Sequence, residues 1–333
     1  MSLNLDQLFA DFSSLKVGVI GDVMLDTYWW GRVDRISPEA PVPIVALYKK
    51  DHRIGGAGNV ALNLAALGTK ATVLSVIGND DEGNLLTRLF RENNIDDRYL
   101  ARSDKRITTN KSRIISRNQQ MMRLDAEITS DLQAEDEEAL LQSVGEYVSR
   151  EKPNVIIFED YNKGVLTENI ITKVIELCKQ ANVITTVDPK RKNFFSYTGV
   201  DIFKPNLTEV KDGLNLLIND VDLPTLQEIH HQLQQKIHHQ ISFITLSEKG
   251  VFYQDKSDAQ LIPSHLRNIA DVSGAGDTVI AVASVLYAAT RNVQLMAEVA
   301  NIAGGLVCED VGTVAINKTR LLEECKLLLP TLR

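Results

Sequence analysis

A doubly wound α/β fold, with a mostly parallel sheet covered by helices on both faces and a small separate β-sheet beside it, is what this sequence predicts. Three observations carry the expectation: short apolar, β-branched runs recur along the chain, stretches with apolar residues at helical spacing separate them, and two segments break the alternation with strand-like patterning.

The apolar runs cover 16–21, 72–78, 155–158, 183–187, 201–203 and 241–246, and near-continuous runs of this kind read as parallel strands buried on both faces. Between them, 58–67, 136–148 and 166–180 carry helical spacing, the first ending before Gly68 as helices often do. The exceptions are 27–47 and 106–124, which alternate like strands with aromatic or basic residues interleaved. They read as a small sheet, either a lid that closes over a substrate and excludes water or a dimer surface. Residues 1–333 are otherwise read as a single domain, without internal repeat or long linker.

Composition narrows the function classes. Hydrophobic residues make up 44% and charged residues 24%, ordinary globular usage. The net charge of −8, with no run of basic residues, argues against a nucleic-acid track or an anionic membrane surface. Cys178, Cys308 and Cys325 are odd in number and far apart, which points to a reducing cytoplasm rather than to disulfides or a metal cage. The N-terminus lacks the basic-then-apolar order of a secretion signal. The longest apolar stretch, 279–289, falls short of the roughly 20 residues a membrane span needs.

Polar residues follow the strands: Gly21-Asp22, Gly78-Asn79-Asp80, Glu159-Asp160, Asp188-Pro189-Lys190, Pro205-Asn206 and Ser247-Glu248. In open α/β sheets ligands bind outside the carboxyl ends of strands, so this rim is the expected site, although turns are polar everywhere. The strongest local signal is Asp271-Val-Ser-Gly-Ala-Gly-Asp277 at the head of an apolar helix. Gly274, Ala275 and Gly276 there can aim backbone N–H groups at one point, where the helix dipole adds positive potential. Asp277, expected to stay ionised at neutral pH, can accept a hydroxyl proton in phosphoryl transfer; the plain alternative is an acid that favours the helix dipole.

Other elements join it. Asn206 and Glu209 fit a capping box, or else a pair facing phosphates and water-bound Mg²⁺. Thr245-Leu-Ser-Glu-Lys-Gly250 ends a strand with Ser247 and Gly250, which can admit a nucleotide or form a plain turn. Arg53-Ile-Gly-Gly-Ala-Gly-Asn59 lets a ligand approach the backbone at Gly55 and Gly56, with Asn59 placed to bond a sugar hydroxyl; Asp22 and Asp26 can accept bonds from a polyol.

Together these elements resemble the ribokinase-like (phosphofructokinase-B) sugar kinases across nearly the whole chain. The strings Gly21-Asp-Val-Met-Leu-Asp26, Arg35-Ile-Ser-Pro-Glu-Ala-Pro-Val-Pro43, Ser116-Arg-Asn-Gln-Gln120 with Arg123-Leu-Asp125, and Asp160-Tyr-Asn-Lys-Gly164 are similar to those of the D-glycero-β-D-manno-heptose-7-phosphate kinases. The resemblance implies transfer of phosphate from ATP to the anomeric hydroxyl of heptose 7-phosphate, on the route to ADP-heptose and the lipopolysaccharide core. It implies Asp277 as base, Gly274–Gly276 as anion hole, Asn206, Glu209 and Lys190 beside ATP and Mg²⁺, Asp160 and Lys163 beside the sugar, a monovalent cation such as K⁺ near Asp271, and a homodimer through the lid. Family members often carry a following nucleotidyltransferase domain; with the chain ending at Arg333, that step is expected from another protein.

A phosphorylated sugar needs a cationic fork, and arginine suits it. Arg35, Arg113, Arg117, Arg123 and Lys163 are candidates, with Arg117 the choice made from sequence. His230-His231 and His238-His239 read as a solvated helix face rather than metal ligands, and Trp29 and Trp30 as packing aromatics. No Gly-Lys dipeptide occurs, which excludes a Walker A loop, and the first strand lacks Gly-x-Gly-x-x-Gly. The competing readings are another ribokinase-like kinase, which keeps Asp277, and a sugar-phosphate or nucleotide sensor, which needs no base.

Overall fold

A computed structural model describes residues 4–117, 119–217 and 221–329. Asn118 of the Ser116–Gln120 string, the first three residues and Arg333 lie outside them. The described strands are β1 (Lys16–Gly21), β2 (Val23–Ile36), β3 (Pro43–Gly56), β4 (Lys70–Gly78), β5 (Leu100–Ser103), β6 (Asn110–Ser116), β7 (Gln119–Ala126), β8 (Val155–Glu159), β9 (Ile184–Asp188), β10 (Ile202–Phe203), β11 (Ile241–Thr245), β12 (Val251–Gln254) and β13 (Ala259–Ile262). The helices are α1 (Leu5–Asp11), α2 (Ala57–Ala66), α3 (Asp81–Glu92), α4 (Ala134–Glu151), α5 (Glu168–Ala181), α6 (Leu207–Leu214), α7 (Leu223–Ile237), α8 (Ala275–Thr290), α9 (Val293–Val307) and α10 (Lys318–Leu328).

The large sheet runs β13-β12-β11-β10-β9-β8-β1-β4-β5. It is parallel from β11 to β5, and β12 and β13 add an antiparallel edge. Its central strands are buried on both faces because their side chains alternate between two cores. Val155 and Ile157 point into the layer built with α2, α8 and α9, while Ile156 and Phe158 point into the layer built with α4, α5 and α7. The doubly wound expectation is met. Strands β5, β12 and β13 escaped the sequence reading because each spans four residues, too few for a period to register.

The second sheet, β3-β2-β6-β7, is separate from the first. Its strands outrun the expected 27–47 and 106–124. β2 begins two residues after β1 ends, and β3 runs back to Gly56, where α2 starts. At Gly56, φ is +60° and an added Cβ would stand 2.3 Å from the Asp22 carbonyl, so only glycine lets the returning strand pass this close to the strand ends. This sheet leaves Ile36, Leu47, Tyr48, Met122 and Leu124 exposed.

Among the described residues no helix is long and apolar enough to cross a membrane. Cys178, Cys308 and Cys325 are free and buried. The histidine pairs depart from expectation: His230 and His239 are buried, not solvated. Ser242 Oγ lies 2.9 Å from His230 Nδ1 and 2.6 Å from His239 Nε2, so the two rings share one hydroxyl.

Burial, with His230 beside it, pushes the His239 pKa down to about 3. The unfolded chain, with histidine near about 6.5, then binds a proton the folded state refuses. Stability conferred by neutral His239 is complete above that value and is lost as pH falls toward 3, at about 1.4 kcal/mol per pH unit in between. Urea unfolding of the wild type and of His239→Gln across this range should give stability–pH slopes that differ by close to one proton.

Candidate active site

The strands β1, β8, β9, β10 and β11 all end at one edge, and α8 starts there. Gly274, at φ +78°, caps α8, and the apolar run from Thr278 to Tyr287 is buried between the large sheet and helices α2 and α9. Asp277 therefore falls in the first turn of a buried helix. It is 6% exposed; its Oδ2 accepts from Asn59 Nδ2 at 2.6 Å and its Oδ1 from the Tyr161 hydroxyl at 2.8 Å. Burial raises its pKa to about 6 despite those two bonds and Lys190, so the carboxyl is ionised only above that value. Sequence reasoning anticipated the ionised state at neutral pH but not the upward shift.

Tyr161 carries no sequence signal of its own beyond the Asp160–Gly164 string, and Asp22 explains how it reaches Asp277. Asp22 is almost fully buried; its Oδ2 accepts from the N–H groups of Tyr161 at 2.9 Å and Lys163 at 3.1 Å, and its Oδ1 from Val165 at 3.0 Å. Asp160 is pinned likewise, by the Asn162 N–H at 2.8 Å, the Tyr197 hydroxyl at 2.8 Å and Asn193 Nδ2 at 3.2 Å. Burial, and next Asp22, push its pKa up to about 6. Both carboxyls thus hold the 160–165 loop in place instead of offering free oxygens to a polyol.

A second cluster lies under the 274–276 turn. Asp188 is bound by Lys190 at 2.9 Å and Lys204 at 2.7 Å, and Lys190 also reaches Glu209 at 2.6 Å. A Cβ on Gly276 would stand 3.6 Å from Asp188 Oδ2 and 3.9 Å from Lys204 Nζ, so this cluster backs the turn directly. Burial opposes ionisation of Asp188, yet the two lysines hold its pKa below the usual carboxylate range; Lys190 is correspondingly raised against its own burial. Burial raises Glu209, with Asp188 adding to it. Lys204, 2% exposed, was read only as part of a motif; its place at a strand end before Pro205 was the available signal.

Asn206 and Glu209 form the capping box in full: the Glu209 N–H donates to Asn206 Oδ1 at 2.9 Å, and the Asn206 N–H to Glu209 Oε2 at 2.8 Å. With Oε1 on Lys190, both Glu209 oxygens are engaged, leaving spare lone pairs but no open face. That donor set fits Mg²⁺ held through water rather than direct ligation. Among the described residues no group of three or more His, Cys, Asp or Glu side chains is placed to hold a metal alone. Asp271 is bound by the Ser273 N–H at 3.0 Å and Oγ at 2.8 Å and by the Gly312 N–H at 2.9 Å, which fixes the approach to Gly274. Asn206 bridges to Thr245, bringing the 245–250 segment to the same rim. Ser247 is exposed there, whereas Gly250 serves packing, since a Cβ would lie 2.1 Å from the Ile262 carbonyl.

On the small sheet, Asp26 accepts from Arg113 at 2.5 Å, and a Cβ on Gly55 would lie 2.4 Å from Asp26 Oδ2. Arg53 and Arg113 both stack on the Tyr28 ring, at 4.8 and 5.3 Å. Arg53 also reaches the loop of Gly312, whose added Cβ would meet its Nη1 at 2.8 Å. Lys163 Nζ is bound by Glu127 at 2.7 Å. Arg117 sits apart from these, exposed in the turn between β6 and β7. The guanidinium pair at the rim is therefore Arg53 and Arg113.

Comparison with known proteins shows the family and the fold. A family model, pfkB family carbohydrate kinase, matches residues 14–320. The bifunctional protein HldE of Syntrophotalea carbinolica is 38% identical over 324 residues, covering 96% of this chain and 65% of that protein. The chain thus spans slightly under two thirds of the length of the curated relatives it matches. Phosphofructokinase-2 from Escherichia coli in complex with potassium superposes with a TM-score of 0.78 at 16% identity, covering 95% of this chain and 99% of that one. Ribokinase from Arabidopsis thaliana, complexed with ribose and ATP, gives 0.72 at 15%, covering 93% and 99%.

The Tyr161 hydroxyl stabilises the charged form of Asp277, so Tyr161→Phe should raise the Asp277 pKa above its value of about 6. Carbon-13 NMR titration of the labelled carboxyl reads this shift, and an unmoved titration would remove Tyr161 from the role.

Proposed function

This chain belongs to the pfkB family of carbohydrate kinases, and from that premise we propose that it phosphorylates the anomeric hydroxyl of D-glycero-β-D-manno-heptose 7-phosphate, giving the 1,7-bisphosphate. It is an ATP-dependent sugar kinase; the heptose rests on the motif strings of the sequence together with the identity to proteins named HldE. The observation that carries the chemistry is Asp277, buried at the N-terminus of α8 and held from two sides by Asn59 and Tyr161.

In this reading Asp277 takes the proton of the acceptor hydroxyl as that oxygen bonds to phosphorus. A pKa of about 6 suits the task, because the carboxylate is charged at neutral pH yet more basic than a solvated aspartate. The N–H groups of Gly274 and Gly276 face the migrating phosphoryl group, while that of Ala275 reaches the Val272 carbonyl at 3.3 Å, and Lys204 beneath them adds positive potential. Lys190, Asn206 and Ser247 line the nucleotide side, and Glu209 would hold Mg²⁺ through water. When bound, that ion supplies charge neutralisation at the phosphates. Potassium belongs beside Asp271. Gly55, Gly56 and Asp26 border the sugar, with Asp22, Asp160 and Lys163 shaping the loop that meets it; Asn59, fully buried, bonds Asp277 instead of the sugar hydroxyl expected from sequence.

We assign the whole chain to one kinase domain, with the small sheet as its lid. The lid's outer apolar residues, Ile36, Leu47, Tyr48, Met122 and Leu124, support a homodimer through that face. Three unpaired, buried cysteines fit a cytoplasmic protein. Arg113, with Arg53, is placed to hold the substrate's remote phosphate, and Arg117 is the alternative on the hairpin turn.

Four measurements test the reading. Purified protein given ATP, Mg²⁺ and a panel of sugars should prefer heptose 7-phosphate, and a preference for ribose or fructose 6-phosphate would overturn the substrate. Asp277→Asn should lower kcat by about 10²–10⁴ with ATP binding retained, since a positioned base contributes on that scale. Arg113→Ala should raise KM for the phosphorylated sugar on the order of tenfold. Arg117→Ala should raise it less, and the reverse order would return the phosphate to the hairpin turn.

A further inference from the structure

Three buried oxygen atoms on residues around Asp277 have no hydrogen-bond donor: both carboxyl oxygens of Glu159 and Oδ1 of Asn59. Glu159 is the last residue of β8 and fully buried. Strand alternation puts its side chain on the same face as Val155 and Ile157, toward α2 and α8. Asn59 lies on α2, equally buried, with its Nδ2 committed to Asp277.

An ionised carboxyl with no cation and no donor on either oxygen is not tenable in a protein interior. The groups facing Glu159 do not relieve it. Lys204 is bound to Asp188, and Lys190 to Asp188 and Glu209. Asp188, its register partner on β9, and Asp277 present like charge, and the Tyr161 hydroxyl is already given to Asp277. A carboxylic acid has instead one O–H to donate, and Asn59 Oδ1 is a closed-off acceptor in need of one.

We propose that Glu159 is a proton-bearing carboxylic acid and a positioning residue, whose O–H donates to Asn59 Oδ1, directly or through one trapped water, and thereby locks the Asn59 amide with Nδ2 on Asp277. The chain runs from the Glu159 O–H to Asn59 Oδ1, and from Asn59 Nδ2–H to Asp277 Oδ2. Without it, the amide is free to turn its oxygen toward the carboxylate, which repels the base instead of holding it. Burial, reinforced by Asp188 and Asp277, pushes the Glu159 pKa well above the carboxylate range, in keeping with this assignment. The positioning role rests on the reading of Asp277 as base; the protonation state of Glu159 does not.

The test uses the full chain in two arms. Infrared difference spectroscopy in mildly alkaline buffer, where Asp277 is ionised, should show in the wild type the C=O stretch of a protonated carboxylic acid that Glu159→Gln abolishes. Spectra without that difference overturn the proposal. In the kinetic arm, Glu159→Leu should lower kcat on the order of tenfold, the scale of one lost orienting hydrogen bond, with KM values kept. Glu159→Gln, which still offers an N–H, should restore most of that loss and leave the acid limb of the kcat/KM profile in place. Were Glu159 ionised, its removal would lower the Asp277 pKa and move that limb to lower pH, which also overturns the proposal. If the leucine variant does not fold, the glutamine variant decides by both readouts. Loss of the infrared difference with intact sugar kinase activity would sink this inference alone, whereas a different preferred sugar would leave it standing.

Discussion

The geometry of the strand ends depends on the capture of one buried carboxyl by main-chain N–H groups. Asp22 sits where β1 hands over to β2, and three amides of the 161–165 loop converge on its two oxygens. Hydrogen bonds to a carboxylate are stronger than neutral ones and their loss in a buried setting is costly, so this contact fixes the loop rather than merely touching it. Tyr161 then has one place to put its hydroxyl, on Asp277. The carbonyl of Asp22 in turn accepts from the Ala57 N–H at 3.0 Å, which ties the start of α2, and with it Asn59, to the same point. Both donors to Asp277 are therefore positioned from one residue.

The electrostatics around that point follow from burial more than from formal charge. Asp188 and Glu209 share Lys190, and Lys204 completes the pairing of Asp188, so the cations under the 274–276 turn are already committed. The positive potential left at that edge comes from the α8 N-terminus, with the lysines contributing at one remove. Such a site attracts an anion without presenting free ammonium groups to solvent. Asp277 at the same terminus is pulled in opposite directions, toward ionisation by its two donors and away from it by desolvation, and desolvation wins.

The α/β alternation, the position of Asp277 at the head of an apolar helix and that of Asn206 and Glu209 after a strand were legible in the sequence, because each left a periodic run or a turn motif. The capping box of Asn206 and Glu209 was legible too, and it exists alongside the rim position instead of replacing it. What sequence spacing does not carry is direction. Asp22 and Asp160 follow strands, as ligand residues do, yet both turn inward to hold a loop, since the nearest donors are amides more than a hundred residues away in one case and next door in the other. Tyr161 and Lys204 carried no period of their own and were assembled by the fold. His230 and His239 misled because doubled histidines look polar, while their spacing on α7 and before β11 places one of each pair against Ser242.

The two sheets divide the constraints between them. The large sheet has side chains packed on both faces and its polar rim interlocked with neighbouring loops, so a change at one rim residue disturbs several others. The small sheet is anchored at Gly56 and at the β1–β2 junction, but it carries exposed apolar residues, and its rim arginines stack on Tyr28, with Arg113 also paired to the buried Asp26. Away from the Asp26–Arg113 pair and the buried Thr27 hydroxyl, side chains there can be exchanged without unsatisfying buried partners. Substitution is therefore tolerated more readily on the exposed positions of β2, β3, β6 and β7 than in the interlocked loops around Asp277.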